Sequence, residues 1–281
     1  MPQSWGDLRE WAGGAGWPRV GSRKAGCRHD SPVDAGGPDQ VLPRAVSADV
    51  AIGVARSVFP SPSAAEAVIL AHRGLWRERS ERNTPVALEA ALNRGFGVET
   101  DVRDCLGELV ISHDMPAGRE QRFGDFLDRY LALQSTAPLA INVKADGLAG
   151  AIRQALESRG IEDYFCFDMS VPDGRSYASL GMRCFARLSE LEPHSPVAES
   201  AAGIWLDAFD NTWFDAATID HWLDRGRDVC VVSPELHGRP HGPLWQMLRR
   251  CRAAEKAGSG PGCGRLMVCT DYPELFAGVA A

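Results

Sequence analysis

Two histidines, a pair of carboxylates spaced i, i+2 and an arginine beside the first histidine stand out within Val68–Asp114, on or next to short apolar runs. The run Val68–His72 has strand character and delivers His72-Arg73-Gly74 at its C-terminal end. In the second run, Val98–Arg103, a single residue separates Glu99 from Asp101. Side chains alternate along a strand, so both acids share a face, about 7 Å apart. Two carboxylates on one face are costly unless a cation or solvent lies between them. A third run, Leu109–Ser112, ends at His113-Asp114. Three strand ends that each finish in polar groups predict one active site.

The rest of the chain supplies the elements that would position these groups. Candidate strands are Val68–Arg73, Val98–Arg103, Leu139–Lys144, Tyr164–Ser170, Arg183–Ser189, Gly203–Phe209, Asp228–Glu235 and Arg265–Asp271. Helical stretches lie between them. Thr84-Pro85 opens one that stops at Gly95, with proline at its first helical position. Leu148–Arg159 stops at Gly160, Asp215–Arg225 at Gly226, and Pro243–Lys256 at Gly258. Ser176 and Thr218 sit near other plausible helix starts. Eight strands separated by helices, in about 215 residues, predict an α/β fold of the TIM-type (β/α)8 barrel class. A doubly wound sheet is the alternative, but no Gly-rich phosphate loop follows the first strand. In a barrel the chemistry gathers at the C-terminal strand ends. Those ends add Asn142 and Lys144, then Asp168, Arg187, Ser189, Asp207, Ser233, Glu235, Thr270 and Asp271.

Composition narrows the function classes. The 281 residues are 44% hydrophobic and carry a net charge of −7, enough for a large core and without a basic footprint for nucleic acid. Eight cysteines, at 27, 105, 166, 184, 230, 251, 263 and 269, form no CxxC pair, and several sit in apolar runs such as VCVVS and LMVCT. They read as packed thiols in a reducing compartment. No apolar run approaches the roughly 20 residues of a membrane span. Residues 1–62 are rich in Gly, Pro, Arg and Asp and lack a signal-peptide h-region. The expectation is a disordered N-terminal extension ahead of a barrel domain over 63–281, in a cytoplasmic protein. Val46, Val50, Val54 and Val58 recur at helical spacing, but Pro60 and Pro62 then interrupt the chain. The next methionine after Met1 is Met115, so a start at a non-Met codon near Val58 is a further expectation.

The order of motifs resembles the glycerophosphodiester phosphodiesterase family. The matching residues are His72-Arg73-Gly74, Asn83-Thr84, Glu99-Thr100-Asp101 and His113-Asp114, all within about fifty residues. The closing Thr270-Asp271-Tyr272-Pro273 resembles the family's last-strand ending. The resemblance implies a TIM-type barrel that cleaves phosphodiesters with a divalent cation (Mg²⁺, Ca²⁺ or Mn²⁺) and two histidines. It implies metal ligands at Glu99, Asp101 and position 142, and a phosphate contact at Lys144. The family's E-x-K on the third strand is Asn142-Val143-Lys144 here, so an amide stands where a third carboxylate is usual. Asp168 or Asp207 could reach across in its place. The family's Glu-Asn-Thr is Arg82-Asn83-Thr84, which adds a cation near the mouth.

The residue types then suit one mechanism. A cation on Glu99 and Asp101 would neutralise a phosphodiester, while Arg73 and Lys144 would hold its remaining oxygens. One histidine would take a proton from the nucleophile and the other would protonate the leaving alkoxide. The resemblance favours His113 as acid and His72 as base, but the residues themselves do not order them. The expected partner is a small-molecule phosphodiester. Alternatives are a lyase forming a cyclic phosphate, and a phosphate-binding barrel with reduced turnover. Other polar candidates have simpler readings: Asp168, Asp207 and Glu235 as helix caps, and His237 and His241 as loop residues. His194 and His221 read as surface groups, and Trp205 and Trp213 as core residues.

Overall fold

The structure, a computed structural model, describes residues 67–255 and 264–278. The expected N-terminal extension and its valine repeat lie outside the described residues. The strands are β1 (Val68–His72), β2 (Gly97–Cys105), β3 (Glu108–Ile111), β4 (Leu139–Val143), β5 (Tyr164–Phe167), β6 (Phe185–Leu188), β7 (Gly203–Leu206), β8 (Asp228–Val232) and β9 (Leu266–Thr270). Eight of them run parallel in the order β5-β4-β2-β1-β9-β8-β7-β6, and β3 folds back antiparallel on β2. A single bridge between Cys166 and Cys184 joins β5 to β6 and brings the ring to near closure. All eight expected strands are present, and the barrel is the expected fold.

Alternation along the strands separates two cores. Inward-facing Leu70, Ala140, Phe165, Phe167, Phe185, Trp205, Cys230, Met267 and Cys269 fill the barrel as one cluster. Phe165 stacks on Phe185 at 3.7 Å and Phe167 on Trp205 at 3.8 Å, so Trp205 is a core residue. One register step further toward the C-terminal ends, the inward positions turn polar. The outward-facing positions, such as Val98, Val102, Ile141, Val229 and Val231, meet the helices.

Those helices are α1 (Pro85–Asn93), α2 (Phe123–Ala132), α3 (Ala149–Glu157), α4 (Val171–Ser179), α5 (Ala216–Leu223), α6 (Gly242–Glu255) and α7 (Pro273–Ala277). Thr84 caps α1 by accepting from the Ala87 N–H, and Gly95 closes the helix at φ 78°. Asp215 caps α5 and Ser170 caps α4. Thr218 lies in the first turn of α5, near its start as expected, whereas the expected start near Ser176 moves to Ser170. Ser176 lies inside α4, and Thr218 is the residue whose N–H Asp215 caps. Phe123, Phe126, Leu127 and Tyr130 form a buried stripe that builds α2, a helix absent from the sequence reading. The alternation of strand and helix also fails once, since residues 189–202 between β6 and β7 form turns. Among the described residues no helix is long and apolar enough to cross a membrane. Cys105, Cys166, Cys184, Cys230 and Cys269 are free thiols.

Candidate active site

The polar layer begins where β1 ends. Arg73 follows the strand at φ 58°, a left-handed conformation that costs a non-glycine residue energy unless its surroundings impose it. They do so here. The Arg73 N–H donates to the Glu99 carbonyl (2.9 Å) and reaches Glu99 Oε2 (3.2 Å), while its carbonyl accepts from the Asn83 N–H (2.9 Å). Gly74 is next, at φ 92°, with its Cα so close to α1 that a Cβ would stand 2.5 Å from the Ala87 carbonyl carbon. This turn directs His72 into the barrel and leaves the Arg73 side chain over β2.

His72 is 8% exposed, and its Nδ1–H donates to Asp271 Oδ1 at 2.6 Å. That bond directs Nε2 toward the centre, 3.8 Å from Glu99 Oε2. The second oxygen of Asp271 accepts from Arg82 (2.7 Å), whose guanidinium lies 4.2 Å from the Trp76 ring centroid. The Asp271 N–H donates to Glu235 Oε1, which also accepts from the Thr270 hydroxyl. Glu235 thus braces the end of β9.

Glu99 and Asp101 are 1% and 0% exposed and share the inward face of β2, as the alternation requires. Burial pushes the Glu99 carboxyl above its ordinary value, and the neighbouring Asp101 charge adds to the rise; His72, Arg73 and Lys144 oppose it. Asp101 Oδ2 lies 2.8 Å from Arg73 Nε and accepts from Asn83 Nδ2 at 2.8 Å. Lys144 Nζ stands 3.3 Å from Asp101 Oδ1 without aligning as a hydrogen bond. Asn142, paired in register with Asp101, donates through Nδ2 to Glu99 Oε1 at 3.2 Å.

A divalent cation can be tested against these donors. Asp101 Oδ1 and Asn142 Oδ1 are both buried acceptors with no hydrogen-bond donor, on register-paired residues beside Glu99. Orphaned acceptors of this kind are rare in proteins, and three oxygen donors with two negative charges suit a hard cation. Among the described residues no group of three or more His, Cys, Asp or Glu is arranged to hold a metal, and the acceptor beside the two carboxylates is the Asn142 amide oxygen. The set fits a divalent cation, with one charge fewer than three carboxylates would give.

The remaining expected residues divide into those near this centre and those elsewhere. The Ser112 N–H donates to the Asp101 carbonyl (3.0 Å), which sets His113 at the rim. There His113 is 48% exposed, with Nδ1 2.8 Å from Asp114 Oδ1. The His113 hydrogen bond holds the Asp114 carboxyl below the usual range. Asp168 bridges Lys144 (3.8 Å) and Arg187 (2.9 Å) rather than facing Glu99. Asp207 is taken by His237 Nε2 at 2.7 Å and by the Ala208 N–H. Neither acid completes the donor set. His241 packs on Trp245 at 3.9 Å, His221 contacts Arg225 on the surface of α5, and His194 is exposed. Trp213 donates to the Asp207 carbonyl.

Sequence reasoning placed Asp271 and Asn83 without giving them roles. Asn83 holds two neighbouring residues of β2, donating to Asp101 and accepting from the Thr100 hydroxyl (2.9 Å). Its φ is 60°, and the residue type was the available signal, since asparagine tolerates such a turn better than most non-glycine residues.

No protein-family model matches the sequence, and the search of curated proteins finds no match. Solved structures do match in three dimensions. A Galdieria sulphuraria barrel assigned as a glycerophosphodiester phosphodiesterase aligns at TM-score 0.58 and 14% identity, over 76% of this chain and 97% of that one. The Agrobacterium tumefaciens glycerophosphodiester phosphodiesterase aligns at 0.55 and 18% identity, over 76% and 100%. An Oleispira antarctica phosphodiesterase, in complex with the product sn-glycerol-3-phosphate, aligns at 0.51 and 15%, over 75% and 95%. At these identities the likeness is one of fold: this chain shares its barrel with glycerophosphodiester phosphodiesterases.

Proposed function

We infer that the protein is a divalent-cation-dependent phosphodiester hydrolase. The observation that carries this reading is the buried His72–Asp271 pair, with Nε2 directed at a carboxylate pair that two cationic side chains flank. A cation held by Glu99, Asp101 and Asn142 would supply positive charge to the phosphoryl oxygens. Arg73 and Lys144 bind the other oxygens of the diester, the arginine through its fork.

His72 acts as the base. Asp271 on Nδ1 fixes the tautomer that leaves the Nε2 lone pair free, and stabilises the imidazolium that forms. Nε2 takes a proton from water as the water oxygen bonds to phosphorus and the bond to the departing alkoxide breaks. His113, at the rim beside the negative Asp114, returns a proton to that alkoxide. The products are a phosphomonoester and an alcohol. The Oleispira antarctica phosphodiesterase binds sn-glycerol-3-phosphate, a monoester of this kind, which supports small glycerophosphodiesters as the first substrates to try.

The test is hydrolysis of glycerophosphodiesters under Mg²⁺, Mn²⁺ or Ca²⁺ titration, together with Asn142→Glu. Restoring the third carboxylate should lower the cation concentration at half-maximal rate by about tenfold or more, in line with the role of ligand charge in cation affinity. A half-maximal concentration unchanged by Asn142→Glu would remove position 142 from the cation site.

A further inference from the structure

The break in the helix layer leaves a cleft on the side of the barrel. The outer core divides into one cluster that reaches Tyr177 and Met182, and another that begins at Ala186, Ala198 and Ala201. The single β5–β6 bridge and the helix-free connection over residues 189–202 lie at that division. Between them is a cavity of about 640 Å³, within the roughly 300–1,000 Å³ of small-molecule sites. Its walls include Met169, Val171, Ala178, Met182, Val197 and Ala201. Val171 and Val197 remain 46% and 37% exposed although both are apolar.

The upper end of the cleft lies one ion pair from the active site, because Asp168, which lines it, stands 3.8 Å from Lys144. Asp101 contacts Lys144 (3.3 Å), Lys144 contacts Asp168 (3.8 Å), Asp168 pairs with Arg187 (2.9 Å), and Arg187 with Glu192 (3.2 Å). Asp168, Arg187 and Glu192 also line the upper end of the cleft. From Arg187 it follows β6 down to Arg183, a strand length of roughly 13 Å. Arg183 and Arg227 form its floor, the first paired with Asp228 and the second donating to the Glu199 carbonyl. The cleft is thus charged at its upper end, next to Lys144, and at its floor, with apolar side chains between the two.

We propose that this cleft receives the alkyl chain of a single-chain lipid phosphodiester whose phosphate lies at Arg73 and Lys144. The proposal rests on the phosphodiesterase reading and narrows it to amphiphilic substrates. An alkyl chain matches the lining: it needs no hydrogen-bond partner and would cover apolar surface that is now open to water.

The experiment is calorimetric titration of the full chain with hexyl-, octyl- and decylphosphocholine below their micellar concentrations, with glycerophosphocholine as the chainless control. Each methylene fully buried adds about fourfold in affinity, so the step from hexyl to decyl should tighten binding by about tenfold or more even with partial burial. Ala178→Trp and Val197→Trp, which fill the cleft from opposite walls, should erase that gain and leave glycerophosphocholine turnover unchanged. Affinity independent of chain length would overturn the proposal, including the case in which another segment of the chain fills the cleft. So would a chain-length gain that both substitutions leave intact. A gain sensitive to the substitutions, with no diester hydrolysed, would instead refute the phosphodiesterase reading and keep the cleft as an alkyl site.

Discussion

Glu99 is the residue on which stability and function pull in opposite directions. Its carboxyl is raised above the ordinary 4.5, first by burial and then by Asp101. The folded protein therefore holds this proton more tightly than the unfolded chain. The associated stability is fully present below pH 4.5 and is lost as pH rises through the folded value. Glu99→Gln removes that pH dependence, so calorimetry should find its melting temperature rising relative to the wild type from pH 4 to pH 7, on top of a constant cost for the N–H donor that the amide no longer satisfies. The same variant should lose the upward melting shift given by excess Mg²⁺, which is worth about 2.7 kcal/mol at a hundredfold excess over Kd. A difference between variant and wild type that stays the same from pH 4 to pH 7 would contradict this account of the carboxylate pair. For the acid–base groups, His113→Ala and Asp271→Asn should each lower kcat by about 10²-fold, measured by product release at saturating substrate. The shared face of Glu99 and Asp101 was legible because strand alternation is local. The His72–Asp271 bond was not, since 199 residues separate its partners and only closure of the barrel brings them together.

Among the elements, the turn from β1 into α1 governs the site. It holds Arg73 and Asn83 at positive φ and passes Gly74 against the backbone of α1. Gly74→Ala adds a Cβ both at a φ of 92° and 2.5 Å from the Ala87 carbonyl carbon. It should cost about 2 kcal/mol or more in urea unfolding, with a larger proportional loss of activity because Arg73 moves with the turn. Unaltered unfolding would show that the turn relaxes freely. The Thr84-Pro85 start and Gly95 stop made α1 readable, and strand ends in apolar runs made the barrel readable. The stripe in α2 followed the same helical spacing, but it is flanked by Arg122 and Leu133, neither of which caps through its side chain. The missing helix after β6 did have a local sign, since Pro193 and Pro196 interrupt the segment, but the strand spacing there is long enough to contain a helix.

At the scale of the whole molecule, the two ends of the barrel have separate tasks. On the end opposite the site, Arg265 binds Asp163 through both carboxylate oxygens and reaches Asp228, tying the entries of β5, β8 and β9. These carboxylates, its hydrogen bond with Asp163 foremost, push the guanidinium above its usual range. The side chain is 40% exposed and solvent screens it, so Arg265→Ala should cost only about 1 kcal/mol, read by urea unfolding, with kcat unchanged. A fall in kcat would show that the floor and the mouth are coupled. The central claim, that the mouth hydrolyses phosphodiesters with a bound cation, is tested most directly by phosphorus NMR of a diester panel incubated with Mg²⁺, Mn²⁺ or Ca²⁺. Samples with EDTA and with His113→Ala would run alongside. The account predicts a phosphomonoester resonance that needs the cation and is lost in the variant. A cyclic phosphate as the final product, or turnover indifferent to EDTA, would contradict it.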